Sequence, residues 1–337
     1  MNSNQITIAV DAMGGDGSPY KSLKGIELFQ KLNNKVNFRL FGNKEEILKI
    51  IEKHQLKITN YEITHTSENI LNEDSANDII RNRNDSSISK GLNFIKDRES
   101  TGFVSAGNTA AVMILSRLKL GMIDGIDRPA ICSIIPNNKD FSIMLDMGAN
   151  VLVNAKNLLQ FALMGFCYHS ILKSNIQPRI GIINIGTENN KGYEFLQEAS
   201  TLIDKSFLKK YYIGFVEPNK ITTNICDILI SDGYTGNIII KTAEGMSNFI
   251  TSSLKKIFRK NLMNKLLFKL LEKDFKNFKD EINPDKYNGA ILIGVNGVCI
   301  KSHGSASPYA FSQAIKRCFD FVDNNINEKI RLEFNKL

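Results

Sequence analysis

The chain has 337 residues, 43 of them basic and 35 acidic, for a formal net charge of +8. Apolar residues make up 42% and charged residues 23%, which excludes a disordered chain, and the length accommodates two domains or one large α/β domain with insertions. Five widely spaced cysteines in apolar runs (132, 167, 226, 299 and 318) exclude a disulfide scaffold and a zinc ribbon and fit a reducing cytoplasm. No apolar stretch reaches about 18 residues, and the N-terminus lacks the apolar core of a signal peptide.

A run at 6–10 predicts a first strand that ends at Asp11 and enters a glycine-rich turn. A helix follows over 20–32, with Leu23, Ile26, Leu28, Phe29 and Leu32 as its apolar set. The alternation repeats as a strand at 36–41, a helix at 44–53, a strand at 61–64 and helical sequence at 75–96. Strand-like runs at 102–105, 130–134, 142–146, 179–185, 211–216, 226–231 and 290–294 come next, with helical periods at 108–120, 155–172, 190–204 and 234–256 between them. Strands alternating with helices of this length predict βαβ units and a mostly parallel sheet covered on both faces.

One segment breaks the pattern. Residues 255–279 hold nine Lys/Arg against two acids, so the rest of the chain lies within one charge of neutral. At about 100° per residue, Leu262, Met263, Leu266, Leu267 and Leu270 share one broad face, while Lys265, Lys269, Lys276 and Lys279 fall opposite. Two readings stand: a docking element for an anionic membrane or an acidic partner, or a core-packing helix with a solvated lysine face. The expected organisation is a single α/β domain over 1–337 with a basic amphipathic helical insertion at about 255–283.

Open α/β sheets bind ligands at the carboxyl ends of their strands, and six polar, glycine-bearing turns fall at such places. The first carries Asp11, Gly14, Gly15, Asp16 and Gly17; it lacks the third glycine of a dinucleotide fingerprint, and a plain βα turn is the alternative reading. The second, with Ser105, Gly107, Asn108 and Thr109, has P-loop glycine spacing but Asn108 in place of the phosphate-binding lysine, so it suits a smaller anion such as inorganic phosphate, or simple capping by Asn108. The third is Asp146-Met147-Gly148-Ala149-Asn150. The fourth contains Asn184 and Gly186, followed by Lys191. The fifth contains Asp232, Gly236 and Asn237, with Lys241 further along the helix. The sixth contains Lys301, His303, Gly304 and Ser305, the neighbourhood of an anion pocket with an acid/base group. The four histidines are scattered, with no HExxH or CxxC spacing, so no metal is expected, and no nucleic-acid-binding motif occurs.

Together these turns resemble one family, the bacterial phosphate acyltransferases of phospholipid synthesis, which convert fatty acyl-acyl carrier protein and phosphate to acyl phosphate. The segments that carry the resemblance are IAVDAMGGDGSP (8–19), RNRNDSSI (81–88), SAGNTAA (105–111), RPA (128–130), LDMGANV (145–151), QFALMG (160–165), RIGIINIGTENNKG (179–192), SDGYTGNIIIKTAEG (231–245) and GVNGVCIKSHGSAS (294–307). They run in order over about residues 6 to 320. Gly17, Ala110, Leu152, Phe215 and the pair Ala306-Ser307 depart from the family's pattern.

The resemblance implies a three-layer α/β/α fold like that of isocitrate and isopropylmalate dehydrogenases and of phosphotransacetylases. It implies a cytoplasmic homodimer, peripheral on the inner face of the cell membrane, that hands its product to a membrane glycerol-phosphate acyltransferase and needs no cofactor. Residue chemistry and the family's motif positions together suggest phosphate on Ser105, Asn108 and Thr109 with Lys301. They further suggest oxyanion donors at Asn237 or near Gly236, and His303 as general acid oriented by Asp232. Competing expectations are a short-chain acyl-CoA phosphate acyltransferase, a dehydrogenase of the same fold, and a non-catalytic membrane-surface adaptor.

Overall fold

The computed structural model describes residues 5–70, 74–82, 84–96, 98, 100–274 and 283–337. The strands in chain order are β1 (Thr7–Asp11), β2 (Asn37–Gly42), β3 (Tyr61–His65), β4 (Thr101–Ser105), β5 (Ala130–Pro136) and β6 (Phe141–Leu145). They continue as β7 (Ile180–Ile183), β8 (Tyr212–Val216), β9 (Ile228–Ile230), β10 (Ala290–Ile293) and β11 (Val298–Lys301). The helices are α1 (Tyr20–Gln30), α2 (Lys44–Lys53), α3 (Ala76–Asn82), α4 (Ser87–Ile95), α5 (Thr109–Leu120) and α6 (Ala155–Leu172). After them come α7 (Glu194–Asp204), α8 (Gly233–Arg259), α9 (Leu262–Leu270), α10 (Pro308–Asp323) and α11 (Ile326–Phe334).

The strands form one sheet in the order β3-β2-β1-β4-β11-β10-β5-β6-β9-β7-β8. Two parallel blocks, β3-β2-β1-β4-β11 and β6-β9-β7-β8, flank a centre in which β10 and β5 pair antiparallel. The reversal is made locally. Residues 137–140 form a tight turn in which the Asn137 side chain accepts the N–H groups of Lys139 and Asp140, so β6 returns antiparallel beside β5. In consequence, the carboxyl ends of β1, β4 and β11 open on one edge of the sheet, and those of β6, β9 and β7 on the other.

Strand residues alternate between two apolar cores. Ile8 and Val10 of β1 and Val104 of β4 face a large core with α1, α6, α10 and α11, while Ala9 and Phe103 face a second core with α4 and α5. This is the three-layer α/β/α arrangement with a mostly parallel sheet. Twelve of the 18 residues of α6 are buried, as expected for a helix lying between the sheet and α11. On the second block the face opposite α6 has a smaller core, Met144, Ile183, Val216 and Leu229, against which the start of α8 packs through Ile239 and Ile240.

Beyond that start, α8 leaves the body of the protein: only Gly233 and Gly236 of its 27 residues are buried. Over its described part the basic segment expected at about 255–283 is helical in two pieces. The segment's first residues are the last turn of α8, and a new helix begins at Leu262 because the Asn261 side chain caps it, accepting the Asn264 N–H at 2.8 Å. The Asn264 amide donates back to Ile257 O at 2.7 Å, and the Phe258 and Phe268 rings lie 5.2 Å apart, so α8 and α9 make a hairpin. Lys269 is exposed, and Met263 and Leu270 are 65% and 72% exposed. The side chains of Leu262, Lys265 and Leu266, and residues 275–282 with Lys276 and Lys279, lie outside the described residues.

Candidate active site

The six turns divide into two clusters, one on each edge of the sheet. The first comprises the turns after β1, β4 and β11, neighbours in the sheet order. Its centre is Asp11, 1% exposed. The Asp11 carboxylate accepts the hydroxyls of Ser87 and Ser105, both at 2.6 Å, and the Met13 N–H at 3.2 Å. Ser105 in turn accepts the Gly107 N–H at 3.0 Å. Buried and hydrogen-bonded in this way, Asp11 ties the first turn to the entrances of α4 and α5, a role open to a carboxylate because it accepts through both oxygens.

Glycine is required where these turns meet. A Cβ on Gly14 would strike the Asp11 carboxylate and stand 2.5 Å from Gly107 N; one on Gly15 would stand 2.5 Å from Lys21 Nζ and 2.7 Å from Gly304 O. The Gly304 carbonyl accepts both the Asp16 N–H at 2.9 Å and Lys21 Nζ at 2.6 Å, which locks the sixth turn onto the first. Lys301 projects beside them and donates to Ser302 O. Burial lowers the Lys301 pKa to about 8; the Asp11 charge opposes that shift and the Lys21 charge adds to it. Burial also lowers the pKa of Lys21, against the charges of Asp16 and Asp11.

His303 is exposed on the same edge. Its ring Nδ1 faces the Ser305 hydroxyl at 2.9 Å and accepts the Ser305 N–H at 3.3 Å, so in the neutral ring the proton is on Nε2. Asn288 sets the loop's path: its amide donates to the Ser302 hydroxyl and to Ala310 O, both at 2.8 Å, and its oxygen accepts the His303 N–H at 3.1 Å. At the entrance of α5, the Asn108 side chain caps the helix by accepting the Ala111 N–H at 2.9 Å, while Thr109 is exposed. The cluster therefore gathers two amines at the turn that leads into α5: a Cβ on Gly15 would meet both Lys21 Nζ and Ala106 O, and the Lys21 charge is felt at Lys301, an arrangement suited to a small oxyanion.

The second cluster comprises the turns after β6, β9 and β7. Asp146 takes five donors: the N–H groups of Ile131, Gly148, Ala149 and Asn150 and the Asn150 amide, at 2.7 to 3.1 Å. Burial nevertheless pushes the Asp146 carboxyl above the usual carboxylate range. The Asn150 carbonyl accepts the Gly233 N–H at 2.8 Å, joining the third turn to the fifth, and Asn237 borders Gly148. Asn184 closes its own loop, donating to Lys191 O at 3.0 Å, with Gly186 beside Glu188 and Lys191. Leu152, Ile185, Tyr193 and Tyr234 stand exposed around these turns.

Several sequence expectations change on this geometry. Asp232 does not orient His303: it is the N-cap of α8, accepting the Thr235 N–H at 2.8 Å and hydroxyl at 2.7 Å, and it lies with Asn237 on the edge away from Lys301 and His303. Asn237 and the backbone near Gly236 are separated from the phosphate-side residues for the same reason. The Ser105 hydroxyl is committed to Asp11. Lys241 is exposed two turns along α8, paired with Glu244 at 2.8 Å. Lys21, Ser87 and Asn288 were missed. Lys21 left a trace in the sequence, as a cation in the first turn of a helix, where the dipole disfavours it, and Ser87 lies in the segment 81–88 that carries the resemblance; Asn288 left none.

Interlocked glycine turns at the carboxyl ends of parallel strands, on an α/β/α sheet, are those of a phosphotransacetylase fold. A phosphotransacetylase from Streptococcus pyogenes and the EutD phosphotransacetylase from Staphylococcus aureus superpose on the chain with TM-scores of 0.62 and 0.59, each at 13% identity, covering 95% and 94% of both partners. The family model for the fatty acid synthesis protein matches residues 6–329. Phosphate acyltransferases from Pelagibacter ubique and Clostridium tetani are 38% and 40% identical to the chain over 330 and 326 residues, covering 98% and 97% of each sequence. The chain belongs to this fatty acid synthesis protein family and is an acyltransferase.

Proposed function

We propose that the chain transfers a fatty acyl group from acyl carrier protein to inorganic phosphate, releasing the carrier thiol and acyl phosphate for phospholipid synthesis. The observation that carries this reading is the first cluster, where two desolvated lysines meet at the interlocked turns after β1, β4 and β11, with His303 on the same turn as Lys301. Phosphate is a dianion near neutral pH and needs little activation, so the site's tasks are positioning and charge neutralisation. A phosphate oxygen attacks the thioester carbonyl, the carbon–oxygen bond forms, and the carbon–sulfur bond breaks with its electrons on sulfur. The proton of hydrogenphosphate passes to that sulfur as it leaves, while the His303 Nε2–H hydrogen-bonds the sulfur and stabilises the charge that builds on it. Ser305, holding Nδ1, fixes the ring for this hydrogen bond. The α5 first-turn N–H groups near Thr109, with Lys301, receive the phosphate. The second cluster, with Asn184, Gly186 and Asn237 inside an apolar rim, is the place for the acyl end of the carrier-bound substrate when a second copy of the chain brings its second cluster to the first.

The basic α8–α9 hairpin favours acyl carrier protein over acyl-CoA as donor and an anionic membrane as the surface on which the product is passed to a glycerol-phosphate acyltransferase. Among the described residues no helix is long and apolar enough to cross a membrane. The largely exposed α8 is the surface on which a homodimer would form. The test is mass-spectrometric detection of acyl phosphate from acyl-acyl carrier protein and phosphate. Turnover of acyl-CoA alone would point to the short-chain enzyme, and no acyl phosphate from either donor with a folded protein would overturn the reading.

A further inference from the structure

We propose that Lys21 is a second phosphate ligand, closing on the oxyanion from the side of the first glycine turn while Lys301 holds it from the sixth. The inference rests on the phosphate-binding role proposed above for the first cluster, and it adds a residue that neither the turn motifs nor the chemistry of His303 required.

Lys21 is 3% exposed, although lysine is among the residues least often buried. Its Nζ touches the junction of two turns: Gly304 O accepts from it at 2.6 Å, and a Cβ on Gly15 would stand 2.5 Å away. As a staple between turns, a lysine is a poor choice. An ammonium has three N–H donors, and Gly304 O is the one acceptor its Nζ bonds among the described residues. A neutral amide side chain would make the same bond without desolvating a charge. The charge is also badly placed for the protein alone. It lies in the first turn of α1, where the macrodipole is positive, and close enough to Lys301 to disfavour that residue's charge as well. Of the nearby carboxylates, Asp11 is committed to two hydroxyls and a backbone N–H, and Asp16 is exposed. Two amines held together with donors to spare, next to glycines that admit a close approach, are relieved by an anion with several acceptor oxygens. Inorganic phosphate meets that requirement and bonds both amines at once.

Calorimetric titration of inorganic phosphate into the full chain, at constant ionic strength in chloride, tests the assignment without depending on turnover. Lys21→Gln keeps a donor for Gly304 O and removes the charge; Lys21→Arg keeps both. Loss of one charge-assisted contact should weaken phosphate binding by about 10- to 100-fold in K21Q, with K21R within a few-fold of wild type. Wild-type affinity in K21Q overturns the proposal, as does absence of phosphate binding by the wild type. Should K21Q fail to fold, acetylation of the wild-type protein by a small amine reagent, read by mass spectrometry, decides the matter. Phosphate should slow modification of Lys21 and leave Lys24 on the same helix unaffected; no protection of Lys21, or equal protection of both lysines, overturns the proposal. Lys21-dependent phosphate binding without acyl phosphate formation would sink the acyl-transfer reading and leave this one standing. Acyl phosphate formation with an unchanged phosphate KM in K21Q would do the reverse.

Discussion

Lys301→Met should make the protein more stable while abolishing its function. The Lys301 pKa falls from 10.5 to about 8 on folding because the amine is largely removed from water. A shift of that size corresponds to roughly 3 kcal/mol of folding free energy lost while the amine is charged. Methionine fills a similar volume without the charge but forfeits the hydrogen bond to Ser302 O, a loss of about 1 kcal/mol. The net expectation is a variant more stable than wild type by about 2 kcal/mol at pH 7. The pH dependence follows from the direction of the shift. Because the folded amine releases its proton at a lower pH than the unfolded one, the unfolded chain binds more protons between about pH 8 and 10.5, and wild-type stability rises across that window. Below pH 8 the full penalty is present. The advantage of K301M should therefore be largest at pH 7 and shrink toward pH 10.5. Urea unfolding at fixed protein concentration and without phosphate measures it, followed by far-ultraviolet circular dichroism because the chain has no tryptophan. A variant less stable than wild type at pH 7, or a difference that does not change with pH, refutes the reasoning.

Gly14→Ala should destabilise the fold by about 2 kcal/mol and end turnover, since its methyl group would collide with the Asp11 carboxylate and the Gly107 N–H; thermal denaturation and the acyl phosphate assay check both parts. Ser305→Ala releases Nδ1 of His303 from both its fixed orientation and its tautomer, and should lower kcat by about 10-fold with little change in phosphate KM. A larger effect on KM than on kcat would show that Ser305 holds phosphate instead. Met263→Asp combined with Leu270→Asp should release the protein from anionic vesicles in a sedimentation assay, and binding that survives means the hairpin is not the membrane contact.

The parts of this fold legible in sequence are those whose signal is local. Strands β1 to β10 are short runs of β-branched and aromatic residues bounded by polar or glycine turns, and each was readable. The stretch 75–96 reads as helices, and two form there, α3 and, capped by Ser86, α4. β11 was not read as a strand; it is four residues long and follows Gly294 and Gly297 closely. The grouping of the site failed for a topological reason. All six turns end apolar strands, and nothing within any one of them tells which way its strand runs. The information sits elsewhere, in the Asn137–Asp140 turn between two apolar runs, which makes a hairpin and reverses every strand of the second block. The partners of Asp11 were beyond reach for a related reason: Ser87 and Ser105 lie 76 and 94 residues away. Sequence showed that an acid stood in the first turn, but not that its charge would be spent on two hydroxyls.

The wedge position of β10 and β11 has a consequence for synthesis of the protein. Strands β1 to β4 are complete by residue 105, and β5 to β9 by residue 230, so both blocks can assemble while the chain is still being made. Their facing edges, β4 and β5, stay without neighbours until residues 290–301 are translated. An unpaired edge invites pairing with another chain, and closing one across so long a loop is slow. The nascent protein therefore spends about a fifth of its translation, from residue 230 to residue 301, as two half-sheets with open flanks, the interval in which a chaperone has something to hold. Lys301 arrives on the strand that ends this interval, so the segment that seals the sheet also delivers the amine proposed above as a phosphate ligand. A chain arrested before that point is an incomplete fold and an empty site at once.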